Sequence, residues 1–342
     1  MSSPTKPTLL ILGGAGAQNS AVAKIFSEAG TYTIHVLTRS IHSAHASELS
    51  PLANIKLIEG DCYDDATLIS AFKDVDLCFV NTNGFAVGEK NEIYWGIRMY
   101  EIARWAGVKH FIYSGLPYVS KKGDFDPSRR IPFVDGKGKV AQYLAAMPTT
   151  PMAWSVLETG PYAERLWGER DIPVKDADGT YVFKLPLGKT GAMPLVALDS
   201  IGIYAQWMFE HPGRSAGLHL GVAIAHVSGA DLAAAFEAVT GNKARYEDIP
   251  LQDVLDRLPA GKIGSQGSPG YSDPTLKTAP EHFGPWWQIF RESGGNTGLW
   301  TKDYGLLDEI MPSRVKSVEQ WMRKVAYDGK PGAYLTTGLS LE

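Results

Sequence analysis

Near its beginning the chain reads Leu-Leu-Ile-Leu-Gly-Gly-Ala-Gly-Ala-Gln-Asn-Ser over residues 9–20. Four apolar residues end on a glycine pair, a third glycine follows at Gly16, and a helical pattern begins at Ser20. This order predicts a strand, a tight turn and a helix whose first backbone amides point out of the turn. Free N–H groups and the positive end of a helix dipole attract a pyrophosphate, so Gly13 and Gly16 predict a dinucleotide-binding turn.

The spacing Gly13-x-x-Gly16-x-x-Asn19 has an asparagine where the common dinucleotide pattern has its third glycine. Taken alone, such a spacing is also compatible with a purely structural turn, because glycine-rich strand ends are frequent in α/β proteins. Its place after the first strand of an alternating α/β pattern favours cofactor binding.

The bulk composition restricts the class of protein. The chain has 342 residues, a net charge of -4, 44% hydrophobic residues and 20% charged residues, which is ordinary for a globular protein with a large core. This charge does not favour direct binding to nucleic acid or to an anionic membrane. Cys62 and Cys78 form neither a metal-ligand spacing nor a disulfide framework, and residues 1–7 lack an apolar signal segment. We therefore expect a cytoplasmic protein with no bound metal.

Apolar, β-rich segments alternate with helical patterns along the first half of the chain. Strands are predicted over residues 9–12, 32–37, 55–61, 75–80, 110–115 and 152–157. Alternation of this kind predicts a doubly wound parallel Rossmann sheet.

We expect residues 1–165 to form the nucleotide-binding domain, with 193–211 returning to it. A smaller mixed α/β lobe, which includes a strand over 218–223, is expected over 166–342. The polar stretch 121–130 is predicted to be a mobile loop, and the Gly- and Pro-rich stretch 255–279 is predicted to be either a lid or a disordered loop.

Several polar residues follow the predicted strands. Arg39 stands near the end of the second strand, where NAD-specific folds carry an acidic residue, and its guanidinium favours the 2′-phosphate of NADP(H). Asp61 and Cys62 follow the third strand and are expected beside the adenine, although Asp61 is equally compatible with a turn role. The polar loop 81–84 follows the fourth strand and is expected to border the dinucleotide.

At this point the chain resembles the NmrA-like family, the atypical branch of the short-chain dehydrogenase/reductase superfamily. The resemblance covers nearly the whole chain and implies an NADP(H)-binding fold with a C-terminal lobe over the nicotinamide. It is carried by residues 13–18, 36–39, 60–61, 113–115, 135–138, 193–202 and 317–321.

The resemblance also implies which residues contact the cofactor. The implied contacts are Gly13, Gly16, Ala17 and Gln18 with the pyrophosphate, Arg39 with the 2′-phosphate, Asn83 and Lys137 with the riboses, and Pro161, Tyr162 and Glu164 near the nicotinamide.

One departure from the superfamily pattern concerns the chemistry. Active short-chain reductases use Ser, Tyr and Lys, with the tyrosine four residues before the lysine. Ser114 and Lys137 match this pattern, but Phe133 stands in the tyrosine position and cannot donate a proton. The proton then comes from Tyr162, Tyr113, Asp135 or water, or there is no turnover.

Two hypotheses remain open, and the first is favoured. The first is an NADP(H)-dependent oxidoreductase of secondary metabolism that reduces an apolar ketone, enone or imine, with Lys137, Tyr162 and Ser114 as catalytic residues. The aromatic stretch 286–290 predicts either core packing or the wall of an apolar substrate pocket. His226 and His282 are interpreted as structural.

The second hypothesis is a non-catalytic NADP(H) sensor that acts on a regulatory protein partner. An isomerase using the same cofactor and a homodimeric assembly also remain open.

Overall fold

The computed structural model describes residues 6–168, 172–262, 273–274 and 276–330. Within these ranges the strands are β1 (Thr8–Leu12), β2 (Thr33–Thr38), β3 (Ile55–Glu59), β4 (Leu77–Val80), β5 (His110–Gly115), β6 (Ala153–Glu158), β7 (Val174–Lys175), β8 (Tyr181–Leu185), β9 (Ala192–Leu195), β10 (His219–Gly221), β11 (Ala225–Ser228) and β12 (Ala244–Asp248).

The helices alternate with the first six strands and then cover the second half of the chain. They are α1 (Ala17–Ala29), α2 (Ala44–Leu49), α3 (Asp65–Ala71), α4 (Gly84–Trp105), α5 (Val119–Lys122), α6 (Pro132–Ala145), α7 (Arg165–Gly168), α8 (Leu198–Glu210), α9 (Pro212–Ser215), α10 (Gly229–Thr240), α11 (Leu251–Leu255), α12 (Ala279–Arg291), α13 (Tyr304–Ile310) and α14 (Val318–Lys324), with a 3₁₀ turn at Pro127–Arg129.

A seven-stranded sheet forms the centre of the molecule in the order β10-β6-β5-β4-β1-β2-β3, and all of its pairs are parallel. The strand order reverses between β1 and β4, which is the crevice where open α/β sheets bind ligands. Residues 9–12 of β1 are fully buried, as expected for a parallel strand covered by helices on both faces. The predicted doubly wound parallel sheet is confirmed.

The return to the sheet extends beyond the predicted segment. Helix α8 packs against α1. The strand predicted over 218–223 was placed in the smaller lobe, and this placement is wrong. It is β10, which pairs in parallel with β6 through His219 and Val156. The short helix α9 brings the chain back to the free edge of β6, and Leu220 becomes fully buried there.

The remaining strands form two small sheets in the C-terminal region. Strand β8 pairs antiparallel with β7 and parallel with β12, while β9 pairs antiparallel with β11. Their apolar faces and the helices α10, α12 and α14 share one aromatic core, whose largest fully buried members are Phe183, Phe236, Phe290, Trp300, Trp321 and Tyr327. The mixed character expected of this region is therefore confirmed.

Two helices, α1 and α4, begin at other residues than the sequence indicates. Helix α1 begins at Ala17 rather than at Ser20, because Gly16 already has the extended backbone of an N-cap and the first turn carries no apolar stripe. Helix α4 begins at Gly84, the last residue of the predicted polar loop 81–84, and has a break at Gly88 where φ is 74°.

Two predicted loops have different outcomes. The stretch 121–130 contains the end of α5 and the 3₁₀ turn, and Arg129 anchors it to Glu292 at 2.7 Å. Of the predicted lid over 255–279, residues 263–272 and 275 lie outside the described residues. None of the described helices is long and apolar enough to cross a membrane.

Candidate functional site

The turn between β1 and α1 runs directly against the end of β4. Gly13 has a φ of 106°, and a Cβ atom there would lie 1.7 Å from the backbone oxygen of Asn81. Asn19, at the position of the missing third glycine, donates through Nδ2 to the carbonyls of Leu12 (3.0 Å) and Gly14 (2.8 Å). These two hydrogen bonds tie Asn19 to the backbone of the turn. The turn is therefore maintained although the third glycine of the common pattern is replaced by asparagine.

The outer side of this turn is open. Gly16 caps α1 without any side-chain hydrogen bond, and no atom lies within 4 Å of where a Cβ of Gly14 or Gly16 would be. Space is therefore open outside the turn, beside the first turn of α1, whose leading amides have no partner within the helix. Arg39, just beyond β2, is exposed and makes no hydrogen bond or ion pair with any described residue. An open helix N-terminus and a free guanidinium fit the phosphates of NADP(H).

The residues predicted beside the adenine and its ribose are joined through Tyr63. Asp61 accepts a hydrogen bond from the Tyr63 amide at 3.0 Å, and the Tyr63 hydroxyl accepts one from the Asn83 amide at 2.9 Å. Asn83 also caps α4 through Ala86. Burial raises the pKa of the Cys62 thiol to about 12, so this thiol stays protonated and unreactive.

Three of the predicted site residues, Tyr162, Gln18 and Ser114, form one hydrogen-bonded chain. The Tyr162 hydroxyl donates to Gln18 Oε1 at 2.7 Å, and Gln18 Nε2 donates to Ser114 Oγ at 2.5 Å. Gln18 and Ser114 are almost fully buried, whereas Tyr162 is half-buried. Burial, together with the Glu164 carboxylate, raises the pKa of Tyr162 well above its usual value, so its hydroxyl keeps its proton. The chain connects α1, β5 and the loop after β6.

Lys137 projects from α6 into a set of oxygens at the ends of β4 and β5. Its ammonium donates to the Thr82 carbonyl (2.8 Å), to Thr82 Oγ1 (3.2 Å), and to Asn81 Oδ1 and the Ser114 carbonyl (both 3.3 Å). It also forms an ion pair with Glu92 Oε1 at 3.0 Å. The lysine therefore lies at the switch point of the sheet, between the ends of β4 and β5.

Sequence reasoning missed Glu92. The carboxylate has no exposed surface and also accepts from the Thr82 and Tyr113 hydroxyls. What marks Glu92 in the sequence is its position. It is the one acidic residue among the buried residues of α4, and it lies at helical spacing from Gly96, Met99 and Ala103.

The aromatic residue in the tyrosine position packs into a cluster shared with the second lobe. The ring centre of Phe133 lies 4.2 Å from that of Phe85, 5.5 Å from that of His282 and 6.2 Å from that of Phe283. Burial lowers the pKa of His282 to about 4, so its imidazole is neutral at physiological pH.

Two of the alternative proton donors are turned into the protein. Asp135 is 1% exposed and accepts from the Ser120 amide and hydroxyl and from the Ile131 amide. Burial raises the pKa of Asp135, and burial also raises that of Tyr113, whose hydroxyl is held by Glu92. Tyr162, which is half-buried, thus remains as the better-placed of these donors.

The loop after β6 is tied to the returning segment. The Pro161 carbonyl accepts from the Val196 amide at 2.9 Å, and Glu164 Oε1 accepts from the Leu198 amide at 3.0 Å. Glu164 is 4% exposed, and burial raises its pKa to about 7. Glu164 thereby links Tyr162 to the first turn of α8.

The other aromatic and histidine candidates belong to the C-terminal core. His226 bonds to the Tyr304 hydroxyl at 2.7 Å and to the Trp300 carbonyl at 2.9 Å, in agreement with a structural role. Trp286, Trp287 and Phe290 are all buried in the aromatic core, which corresponds to core packing rather than to an exposed pocket wall.

Known proteins share this architecture. The sequence model of the NmrA-like family matches residues 5–267. An NmrA-like family domain-containing oxidoreductase, lnaB of Aspergillus flavus, is 28% identical over 270 residues, which cover 74% of this chain and 79% of the relative.

Two solved structures extend the comparison of the fold. NmrA, a negative transcriptional regulator solved in complex with NADP, gives a TM-score of 0.71 at 18% identity, covering 94% of this chain and 95% of NmrA. The triphenylmethane reductase of Citrobacter sp., solved with NADP(H), gives 0.64 at 16% identity, covering 94% and 99%.

We expect Gly13→Ala to unfold more readily than Gly14→Ala. Both residues have positive φ, which costs an alanine about 1 kcal/mol. Only the Gly13 substitution also drives a methyl group into the Asn81 carbonyl, so its total loss should reach about 3 kcal/mol. Urea denaturation of the two variants measures the difference, and equal losses would contradict the close approach.

Glu164 is expected to make stability depend on pH. Its folded pKa of about 7 lies above the unfolded value of 4.5, so the folded state holds the proton more tightly. Stability should fall as pH rises from 4.5 to 7, by on the order of 3 kcal/mol, and level off above that window. Glu164→Gln should flatten this slope and exceed the wild type in stability at pH 8, whereas Glu28→Gln, at an exposed site, should leave the slope unchanged. Denaturation midpoints across pH 4–9 test both.

Proposed function

The chain belongs to the NmrA-like family, and on that basis we propose that it is an NADP(H)-dependent oxidoreductase that reduces an apolar small molecule. The observation that carries the proposal is the hydrogen-bonded chain Tyr162–Gln18–Ser114, which joins two hydroxyl groups to the first turn of the helix after the glycine turn. The relative lnaB is an oxidoreductase, which supports the reaction class. Two proteins of the same fold were solved with NADP or NADP(H), which supports the cofactor.

In the proposed binding mode the cofactor lies across the switch point of the sheet. The amides of the glycine turn hold the pyrophosphate and Arg39 the 2′-phosphate. Asp61 and Cys62 border the adenine, Asn83 borders the adjoining ribose, and Lys137 faces the nicotinamide ribose. The longer contacts of the lysine, to Asn81 and Ser114 at 3.3 Å, are the ones that a ribose hydroxyl can replace. When bound, NADPH supplies a hydride.

The protein supplies the proton and the orientation. Tyr162 keeps its proton and stands at the end of the chain, where a rotation of its hydroxyl away from Gln18 lets it donate to the reduced substrate atom. Gln18 accepts from the Tyr162 hydroxyl and donates to Ser114 Oγ, so it fixes the direction of the Tyr162 hydroxyl, and we assign Ser114 the role of a relay in this chain. Phe85, the half-buried member of the Phe133 cluster, presents hydrocarbon beside this region, which favours an apolar substrate.

A second candidate function is an NADP(H) sensor without turnover, and Phe133 is the observation that favours it. This phenylalanine removes the usual proton donor and packs on α12 of the second lobe. A shift of the ring on dinucleotide binding would be passed to that lobe and to a protein partner. NmrA, which has the same fold, is a negative transcriptional regulator.

Tyr162→Phe is expected to keep NADPH binding and to lose turnover. Removing a general acid lowers kcat by about 100-fold or more, since only the hydroxyl is lost. Tyr143→Phe is the matched control, because the Tyr143 hydroxyl on α6 donates to the exposed Glu101 on α4. NADPH oxidation is followed with a panel of apolar ketones, enones and imines. Unchanged kcat in Tyr162→Phe would exclude this residue as the donor.

The same assay separates the two candidate functions. If the wild type binds NADPH saturably but reduces no compound of the panel, the enzyme proposal loses its support and the sensor is favoured.

Arg39→Ala is expected to lower NADPH affinity by about 10- to 100-fold, the value of a charge-assisted hydrogen bond to phosphate. Affinity for NADH should change by less than about 2-fold, because NADH lacks the 2′-phosphate. Arg104→Ala, at an exposed site near the end of α4, should leave both affinities unchanged. Tryptophan fluorescence titrations measure them. An equal loss of affinity for NADPH and NADH would show that Arg39 does not bind the 2′-phosphate.

A further inference from the structure

Glu92 is the fully buried carboxylate that none of the roles above uses. Its Oε1 atom receives the Lys137 ammonium at 3.0 Å, the Tyr113 hydroxyl at 2.9 Å and the Thr82 hydroxyl at 2.5 Å. A buried carboxylate is costly unless it is paired and hydrogen-bonded, and here three donors converge on one oxygen. The donors come from α6, β5 and the end of β4, so the carboxylate is at the centre of the site's rear wall.

The packing around this residue leaves room for a carboxylate. A Cβ at Gly84 would lie 3.2 Å from Glu92 Oε2, and one at Gly136 would lie 3.1 Å from Glu92 Cγ. Glycine at these two positions lets α4 and α6 approach with the glutamate between them. In the part of the chain that the structure describes, Oε2 has no hydrogen-bond partner. The ion pair and the hydrogen bonds of Glu92 therefore all involve Oε1, the oxygen that faces Lys137.

We propose that Glu92 is the positioning residue of Lys137, which it holds at the nicotinamide end of the cofactor crevice. The proposal rests on the NADP(H)-binding part of the proposed function. Without Glu92 the ammonium keeps only neutral acceptors, and two of them are at 3.3 Å. With Glu92 the ammonium is fixed beside the Ser114 carbonyl, on the side where the nicotinamide ribose is expected. Phe133 offers no hydroxyl to share this task.

The test compares binding of NADPH with binding of 2′,5′-ADP, which lacks the nicotinamide half. Glu92→Gln keeps the shape of the side chain and removes its charge. We expect the Kd for NADPH to rise about 10-fold, a usual size for a coupled charged pair, while the Kd for 2′,5′-ADP changes by less than about 2-fold. A residue with a merely structural role would weaken both ligands together, because the glycine turn serves both. Glu101→Gln, on the exposed side of α4, is the matched control.

A double-variant cycle shows whether Glu92 acts through the lysine. Lys137→Met should weaken NADPH binding about 10-fold in the wild type but less than about 3-fold in the Glu92→Gln background. If Glu92→Gln alone does not fold, the comparison uses Lys137→Met against the double variant, in which no buried charge is left unpaired. The two should then bind NADPH equally.

The outcomes are distinguishable. Equal effects of Lys137→Met in both backgrounds, or parallel losses for NADPH and 2′,5′-ADP, would overturn the role of Glu92. In the fallback comparison, unequal affinities of the single and double variants would do the same. A wild type that binds neither ligand would instead overturn the proposed function. Because every readout is binding, absence of turnover does not affect the result.

Discussion

The structure depends on the close approach of the β1–α1 turn to the carboxyl end of β4. Only a glycine at residue 13 permits it, because the Asn81 carbonyl occupies the place of a side chain. The approach aligns the first turn of α1 with the ends of β4 and β5, and from it Gln18 reaches Ser114 across the sheet. A dinucleotide crevice, a helix N-terminus and two hydroxyl groups are therefore brought together by a single backbone contact.

The second organising element is the buried cation at the ends of β4 and β5. Lys137 satisfies carbonyl and side-chain oxygens of two segments, the end of β4 and β5, and Glu92 of α4 balances its charge. In a site with a tyrosine four residues earlier, a lysine lowers the pKa of that hydroxyl. Here the partner is a carboxylate in the protein interior, so the lysine is held as a fixed charge rather than used to activate an acid.

The sequence predicted the sheet and the turn because these depend on local patterns. Alternating apolar strands and helices determine the parallel order, and glycine spacing marks the β1–α1 turn. Strand β10 was misplaced because its three residues carry no signal of which sheet edge they join. Glu92 was missed because the separation of 45 residues to Lys137 is bridged by the packing of α4 on α6, which no local pattern records. The tie between Glu164 and Leu198 is non-local in the same way.

Phe133 connects the two candidate functions physically. Its ring lies one turn before Lys137 on α6 and contacts the second lobe through His282 and Phe283. An aromatic ring that touches both lobes transmits displacement in either direction, from substrate to lobe in an enzyme or from cofactor to partner in a sensor. The two functions differ in whether a proton donor faces the crevice, because hydride transfer to a carbonyl or imine needs one and dinucleotide binding does not. Tyr162 keeps its proton and is half-exposed at that point, and this favours the enzyme.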